Sequence, residues 1–261
     1  MALSLLSLNV RGLRNGTKRK WGCGDIFFSH GSSHSAGVAI LFKQLDGKVL
    51  DYKSDVKGHW LMVTLEFNDS NYILLNVYGF NNRIKNRKMF SNLGTMIDNW
   101  MTQYSTDRVI VTGDFNVVAD EWLDRYPSQF RTHSFDPLIS DFSESLNLVD
   151  IWRKMNPDIK QYTWWNNTSR SQCSTLDFWL ISKNLTELSS ECNIRRHIHN
   201  HTRLILDLLD YNHLISHDSF ILFLDFFKAF DTLEHQFLLE TLKNLISART
   251  FVTSFICFIK I

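Results

Sequence analysis

The first chemical candidates in the chain are a carboxylate and a carboxamide two residues apart. They are Asp114 and Asn116, in the stretch RVIVTGDFNVVAD that runs from Arg108 to Asp120. In extended backbone a spacing of two turns both side chains to one face. Val109, Ile110 and Val111 form a short β-branched run that reads as a buried strand, and Gly113 ends it. A proton acceptor and an amide donor are therefore presented together at a strand end, where α/β proteins tend to place their chemistry. The same residues also fit a plain strand followed by an Asp/Asn turn, so the remaining elements must decide.

Those elements alternate. Leu5 to Val10 reads as a strand ending near Asn9, followed by a turn at Arg11-Gly12-Leu13, and Ser35 to Phe42 as a second strand. Trp60 to Phe67 and Tyr72 to Tyr78 predict a hairpin across Asn68-Asp69-Ser70. Asn82 to Tyr104 carries Phe90, Leu93, Ile97, Trp100 and Met101 on one helical stripe, which is core rather than a cofactor site. Asp136 to Asn147 reads as another helix, and Tyr162 to Trp165 and Leu176 to Ile181 as further strands. Several adjacent strand pairs within this alternation predict a mixed-sheet α/β sandwich rather than a purely parallel fold.

Beyond about residue 194 the pattern changes. Arg203 to Ile215 is a helix candidate, and Phe220 to Phe227 (FILFLDFF) is a buried strand interrupted by Asp225. Lys228 to Ile246 is an amphipathic helix, so this part is expected to be mainly helical. The last eleven residues, FVTSFICFIKI, are almost wholly apolar and read as a strand or helix lacking its cover. Removal of the tail near Ile194 is expected to improve solubility.

The totals narrow the class. There are 261 residues, 28 Lys+Arg against 27 Asp+Glu, and 44% apolar residues, enough for one large domain or one domain plus a piece. Balanced charge gives no global case for a polyanion partner, so any such case is local. It rests on two basic segments, Arg11 to Lys20 and Arg83 to Lys88. Cysteines at 23, 173, 192 and 257 form no CxxC and read as reduced thiols of an intracellular protein, with nucleus and cytoplasm not distinguished. The opening MALSLLSLNV lacks a charged n-region and cleavage site, so it reads as a strand rather than a signal peptide. No apolar run approaches the ~20 residues that span a bilayer.

Four separated pieces line up with a known family: LNVRGLR at 8–14, LLNVYGFNN at 74–82, VTGDFN at 111–116, and YTWWN with STLDFWLIS at 162–182. In this order they resemble the endonuclease/exonuclease/phosphatase superfamily, most closely the apurinic-type endonuclease domain of LINE-type (non-LTR) retrotransposons. The resemblance spans residues 1–194. It implies a four-layered α/β sandwich, two mixed sheets flanked by helices, that cleaves phosphodiester bonds of DNA with Mg²⁺. It further implies that Asp114 orients or deprotonates a water, that Asn116 donates to the phosphate, and that Asn9 assists from its strand end. By the same carry-over Tyr78 contacts the scissile phosphate, Asn81 lies beside the substrate, and Asp177 holds the catalytic histidine. No membrane and no defined protein partner is implied.

The pattern breaks twice. The family holds Mg²⁺ with a glutamate on its second strand, in a stretch reading like LQET, but this chain has no Glu before Glu66. Asp25-Ile26-Phe27-Phe28 imitates the start of that strand, yet Gly31 and Ser32 stand where the Glu would fall. A segment near 15–25 is read as deleted, which should weaken metal binding severely and leaves the metal ligands unassigned. At the other end, Asn200-His201 imitates the family's closing Asp-His. However, RRHIHNHTRLILDLLDY and FILFLDFFKAFDTLEH resemble the reverse-transcriptase segment of the same elements, with Asp225 as its metal-binding Asp. Residues 195–261 are accordingly read as a reverse-transcriptase fragment that includes His201. No Asp or Glu follows Glu240, so that fragment lacks the second acidic cluster polymerisation needs. The expectation from sequence is a retrotransposon-derived endonuclease-like domain left inactive by the missing Glu, the alternatives being an active Mg²⁺-dependent endonuclease with a rebuilt metal site or a weak non-catalytic nucleic-acid binder.

Overall fold

The computed structural model describes residues 3–10, 25–32, 35–43, 47–166, 171–197, 219–226 and 252–259. The expected hairpin forms as β5 (Trp60–Phe67) and β6 (Ser70–Tyr78). Its two turn residues, Asn68 and Asp69, sit at φ of 49° and 55°, which these side chains tolerate and which suits a tight hairpin turn. From β6 the chain crosses through α1 (Arg83–Gln103) to β7 (Val109–Asp114), which pairs parallel to β6. With β4 (Gly47–Ser54), β9 (Leu148–Asp150) and β12 (Asp177–Ser182), these strands make a six-stranded sheet ordered β4-β5-β6-β7-β12-β9.

Asn82 caps α1 by accepting from the Lys85 N–H at 3.0 Å. The helix buries Phe90, Leu93, Ile97 and Trp100 against the outer face of this sheet, each burial contributing about 1.5–3 kcal/mol. Phe90 stacks on Phe115 at 5.0 Å and meets the edge of Phe142 at 5.1 Å. Phe142 belongs to α2 (Pro137–Ser145), capped by Asp136. A five-residue helix, α3 (Ile151–Met155), follows β9. It was not foreseen, because fewer than two turns show no period. The strand expected over Tyr162–Trp165 shrinks to β10 (Trp164–Trp165). With β11 (Cys173–Ser174) and β8 (Arg125–Tyr126) it forms a small three-stranded sheet.

The other large sheet is assembled from both ends of the chain. Its strands are β1 (Leu3–Val10), β2 (Ile26–Ser32), β3 (Ser35–Lys43), β13 (Ser189–His197), β14 (Ser219–Phe226) and β15 (Val252–Ile259). The order is β13-β15-β1-β14-β3-β2. β14 runs parallel to β1 and antiparallel to β3, and so separates two strands that are near neighbours in sequence. Val38, Ile40 and Phe42 of this sheet meet Leu74, Ile110, Trp179 and Ile181 of the other in one buried layer. Two packed mixed sheets with helices outside confirm the α/β sandwich.

The run expected as a strand at 220–227 is β14, and the apolar end contains β15, which pairs with β1 on one side and β13 on the other. The expected boundary at 194/195 falls inside β13. The helices expected at 203–215 and 228–246, the basic cluster Arg11–Lys20 and His201 lie outside the described residues. Among the described residues no helix is long and apolar enough to cross a membrane.

Candidate active site

The hydrogen-bond register of the second sheet aligns Tyr78, Asp114 and Asp177 as consecutive partners across β6, β7 and β12. Tyr78 and Asp114 are buried, and Asp177 is partly so. The backbone turns sharply just past this row. Asn116 adopts φ of 50°, a left-handed conformation that Asn tolerates better than most residues. There its N–H donates to Asp114 Oδ1 at 2.8 Å, and its side-chain amide donates to the Gly79 carbonyl at 2.6 Å. The loops after β6 and β7 are thereby held together, and the Gly79 N–H donates to the Asp114 carbonyl at 2.6 Å. Gly79 has no room for a side chain, since a Cβ would lie 2.2 Å from the Phe115 carbonyl oxygen.

Three residues that the sequence reading passed over complete this support. Asn86, almost fully buried on α1, accepts from the Phe80 N–H at 3.0 Å and donates to the Phe115 carbonyl at 2.9 Å. The signal was present: Asn86 lies on the same helical stripe as Phe90, Leu93 and Ile97, and a polar group there needs partners. Thr163 accepts from the N–H groups of Leu176 and Asp177 at 3.0 and 3.2 Å. His59 packs 3.6 Å from the Phe80 ring, centroid to centroid, and its Nδ1 lies 2.7 Å from the Tyr78 carbonyl. Nothing local in the sequence marks His59.

Burial pushes the Asp114 carboxyl well above the usual carboxylate range, and the charge of Asp177 raises it further, while the Asn116 N–H pulls it down. Burial likewise lifts Asp177, to about 6, against the hydrogen bond of the Thr163 hydroxyl. Two close carboxyl groups in a dry site resist ionising together, and among the described ion pairs neither has a cationic partner. The Thr112 hydroxyl, fully buried and two residues before Asp114 on the same face of β7, has no hydrogen-bond partner among the described residues. All-oxygen donors with excess negative charge suit a hard divalent cation such as Mg²⁺. The set is short of ligands, because the described residues hold no group of three potential metal-ligating side chains.

Of the remaining candidates, Asn9 stands at the end of β1 as register partner of Asp225. Asn81 is exposed on the bend into α1. Its neighbour Asn82 caps the helix.

The fold belongs to a known class. Residues 3–199 match the endonuclease/exonuclease/phosphatase family, and the chain belongs to it. It is 26% identical over 174 residues to the transposon TX1 uncharacterized 149 kDa protein of Xenopus laevis, a match covering 66% of this chain and 13% of that protein's length. Among solved structures it is similar to the AP endonuclease LMAP from Leishmania major, with TM-score 0.56, 14% identity, and coverage of 100% of this chain and 88% of the other. It is also similar to the endonuclease domain of TRAS1, a telomere-specific non-LTR retrotransposon, with TM-score 0.52, 11% identity and 98% coverage of each chain. The chain is thus a member of this family with a transposon relative and the fold of these nucleases.

Proposed function

We propose that this chain is a DNA phosphodiesterase of the retroelement endonuclease type that works with Mg²⁺. The observation supporting this is the row Tyr78–Asp114–Asp177, with Asn116 folded back beside it. In this reading Asp114, whose burial favours holding a proton, takes one from the attacking water. Tyr78 and Asn116 bear on the phosphate, and Asp177 holds the general-acid partner. A bound Mg²⁺ would supply Lewis-acid withdrawal of charge from the phosphate, and its ligands are left unassigned.

Basic residues cluster at the start of the helix that follows β6, where Arg83 pairs with Asp136 at 2.8 Å. The first turns of α1 carry Arg83, Lys85, Arg87 and Lys88 and no acidic residue in the first turn. Positive charge at a helix N-terminus opposes the helix dipole, but suits a polyanion arriving there, with binding that weakens as salt rises. Residues 195–261 are read as a segment of reverse-transcriptase origin.

Nicking of supercoiled plasmid in Mg²⁺ tests the reading. Nicking that Asp114→Ala reduces at least a hundredfold is expected, and none above that variant would overturn it. One observation favours a second reading, a relic that binds DNA without cutting it: the absence of any Glu before Glu66. The same assay separates the two.

A further inference from the structure

Among the described residues there are four ion pairs, and the acidic partner of every one lies between Asp120 and Asp136. They are Asp120 with His133, Glu121 with Arg125, Asp124 with Arg153, and Asp136 with Arg83. No other Asp or Glu occurs in that segment, so all its negative charges are matched. Apart from the two-residue β8 it contains no helix or strand. Its ends are nevertheless tied together, since the Glu121 N–H donates to the Ser134 carbonyl and the Asp136 N–H to the Ala119 carbonyl, each at 2.9 Å. Long irregular loops with joined ends are commonly binding loops rather than plain connections.

The loop follows β7 and the turn at Asn116, and it is anchored to chain that flanks the other two members of the row. The Asp124 carbonyl accepts from the N–H of Thr175, two residues before Asp177, at 2.8 Å. Asp136 pairs with Arg83, five residues after Tyr78, at 2.8 Å. Tyr126, Phe130 and Phe135 are exposed on this loop. His133 is exposed too, but its Nδ1 lies 2.5 Å from Oδ2 of the buried Asp120. Asp120 Oδ1 in turn accepts from the Trp122 N–H at 2.8 Å. The imidazole is therefore fixed, and its Nε2, across the ring, has no hydrogen-bond partner among the described residues. The Phe135 ring, 67% exposed, lies parallel to it with 8° between the planes and 6.1 Å between centroids.

We propose that His133 and Phe135 form a nucleotide-binding subsite on this loop, with a phosphate on His133 Nε2 and an unpaired base stacked on the Phe135 ring. Asp120 is its positioning residue. The proposal rests on the reading of the substrate as DNA. A protonated imidazole donates from both nitrogens, inward to the carboxylate and outward to a phosphate oxygen. Burying the Asp120 carboxyl costs free energy that its backbone donors and His133 offset, so the ring is oriented from within and not by surface contacts alone. An exposed flat ring gains contact when a base stacks on it, whatever the base. Arg131, exposed and without an ion-pair partner among the described residues, adds positive charge to the same loop.

The test is fluorescence anisotropy of a labelled single-stranded DNA oligonucleotide with the full chain. It is run in EDTA, apart from catalysis, at about pH 6, where an ordinary imidazole is largely charged. Phe135→Ala should weaken binding at least about fivefold and leave its salt dependence unchanged. His133→Ala should weaken binding and also lower the slope of log Kd against log salt by about 0.7, the loss of one phosphate contact on a single strand. His133→Arg should keep that slope. Asp120→Asn should weaken binding as His133→Ala does and add little to it in the double variant, the mark of a residue acting through another. Melting temperatures of the His133 and Phe135 variants should match the parent's, since both side chains are exposed. Parent-like affinity and slope in His133→Ala, or no binding of the oligonucleotide by the parent, would overturn the proposal. Binding that needs both rings, without Mg²⁺-dependent plasmid nicking, would sink the phosphodiesterase reading alone. Nicking that Asp114→Ala abolishes, with binding indifferent to both rings, would sink the subsite alone.

Discussion

The two large sheets of this molecule are built from the chain in opposite ways. The second takes its strands from residues 47–182, and its central members β5, β6, β7 and β12 are almost wholly buried. The first gathers β1, β2 and β3 from the start of the chain and β13, β14 and β15 from positions 189 to 259, with β1 enclosed by two of the latter. The row Tyr78–Asp114–Asp177 lies on the second sheet, a wall made from a single continuous stretch, while the facing wall joins segments more than 200 residues apart. The first sheet therefore needs its late strands to close around β1, and the second needs none of them.

The sharpest way to break this contrast is to cut the chain after His197. That removes β14 and β15, the two strands that hydrogen-bond to β1. The sequence alone argued that such a cut improves solubility; the topology reverses that expectation. The truncated protein should lose its cooperative melting transition and aggregate, as followed by calorimetry and light scattering. A soluble, cooperatively melting product would show that the first sheet does not need its late strands.

A change in the other wall should be milder. Asn86→Ala deletes two hydrogen bonds, one buried and one half-buried, that tie the loops after β6 and β7. It should cost about 1–3 kcal/mol and leave a cooperative fold in urea unfolding. A loss indistinguishable from the truncation would erase the contrast.

The smallest effect is expected at the edge of the second sheet. Burial pushes the Asp150 carboxyl up to about 7, so between pH 4 and 7 the folded chain keeps a proton that the unfolded chain gives up. Its contribution to stability is full at the acid end and is lost as pH rises through 7. Asp150→Asn keeps a good cap for α3. It should flatten the dependence of melting temperature on pH over that window and raise stability above pH 7. Superimposable pH profiles for the two proteins would contradict this.

The wall made from continuous chain was the one legible in sequence. Strand β7, the hairpin and the stripe of α1 follow from β-branched runs, a two-residue turn and a 3.6-residue period, all local signals. Asp114 and Asn116 emerged from the same local grammar. Elements below the length of a period, such as α3 and β10, did not. Nor did the supports Thr163 and His59, whose roles exist only once distant loops meet. Strand β14 was legible as a strand, but not its place: nothing in FILFLDFF says that it lies parallel to LSLLSLNV rather than among its own neighbours. Partner choice in a sheet is a long-range decision, and a single sequence does not record it.

The parallel pairing of Leu3–Val10 with Ser219–Phe226 also sets a timetable for synthesis. At ribosomal speeds of about 5–20 residues per second, the opening strand waits on the order of tens of seconds before its permanent neighbour is even polymerised. During that interval an unpaired apolar edge is open to any passing β-segment, so production in living cells should depend on chaperones that shield nascent chains.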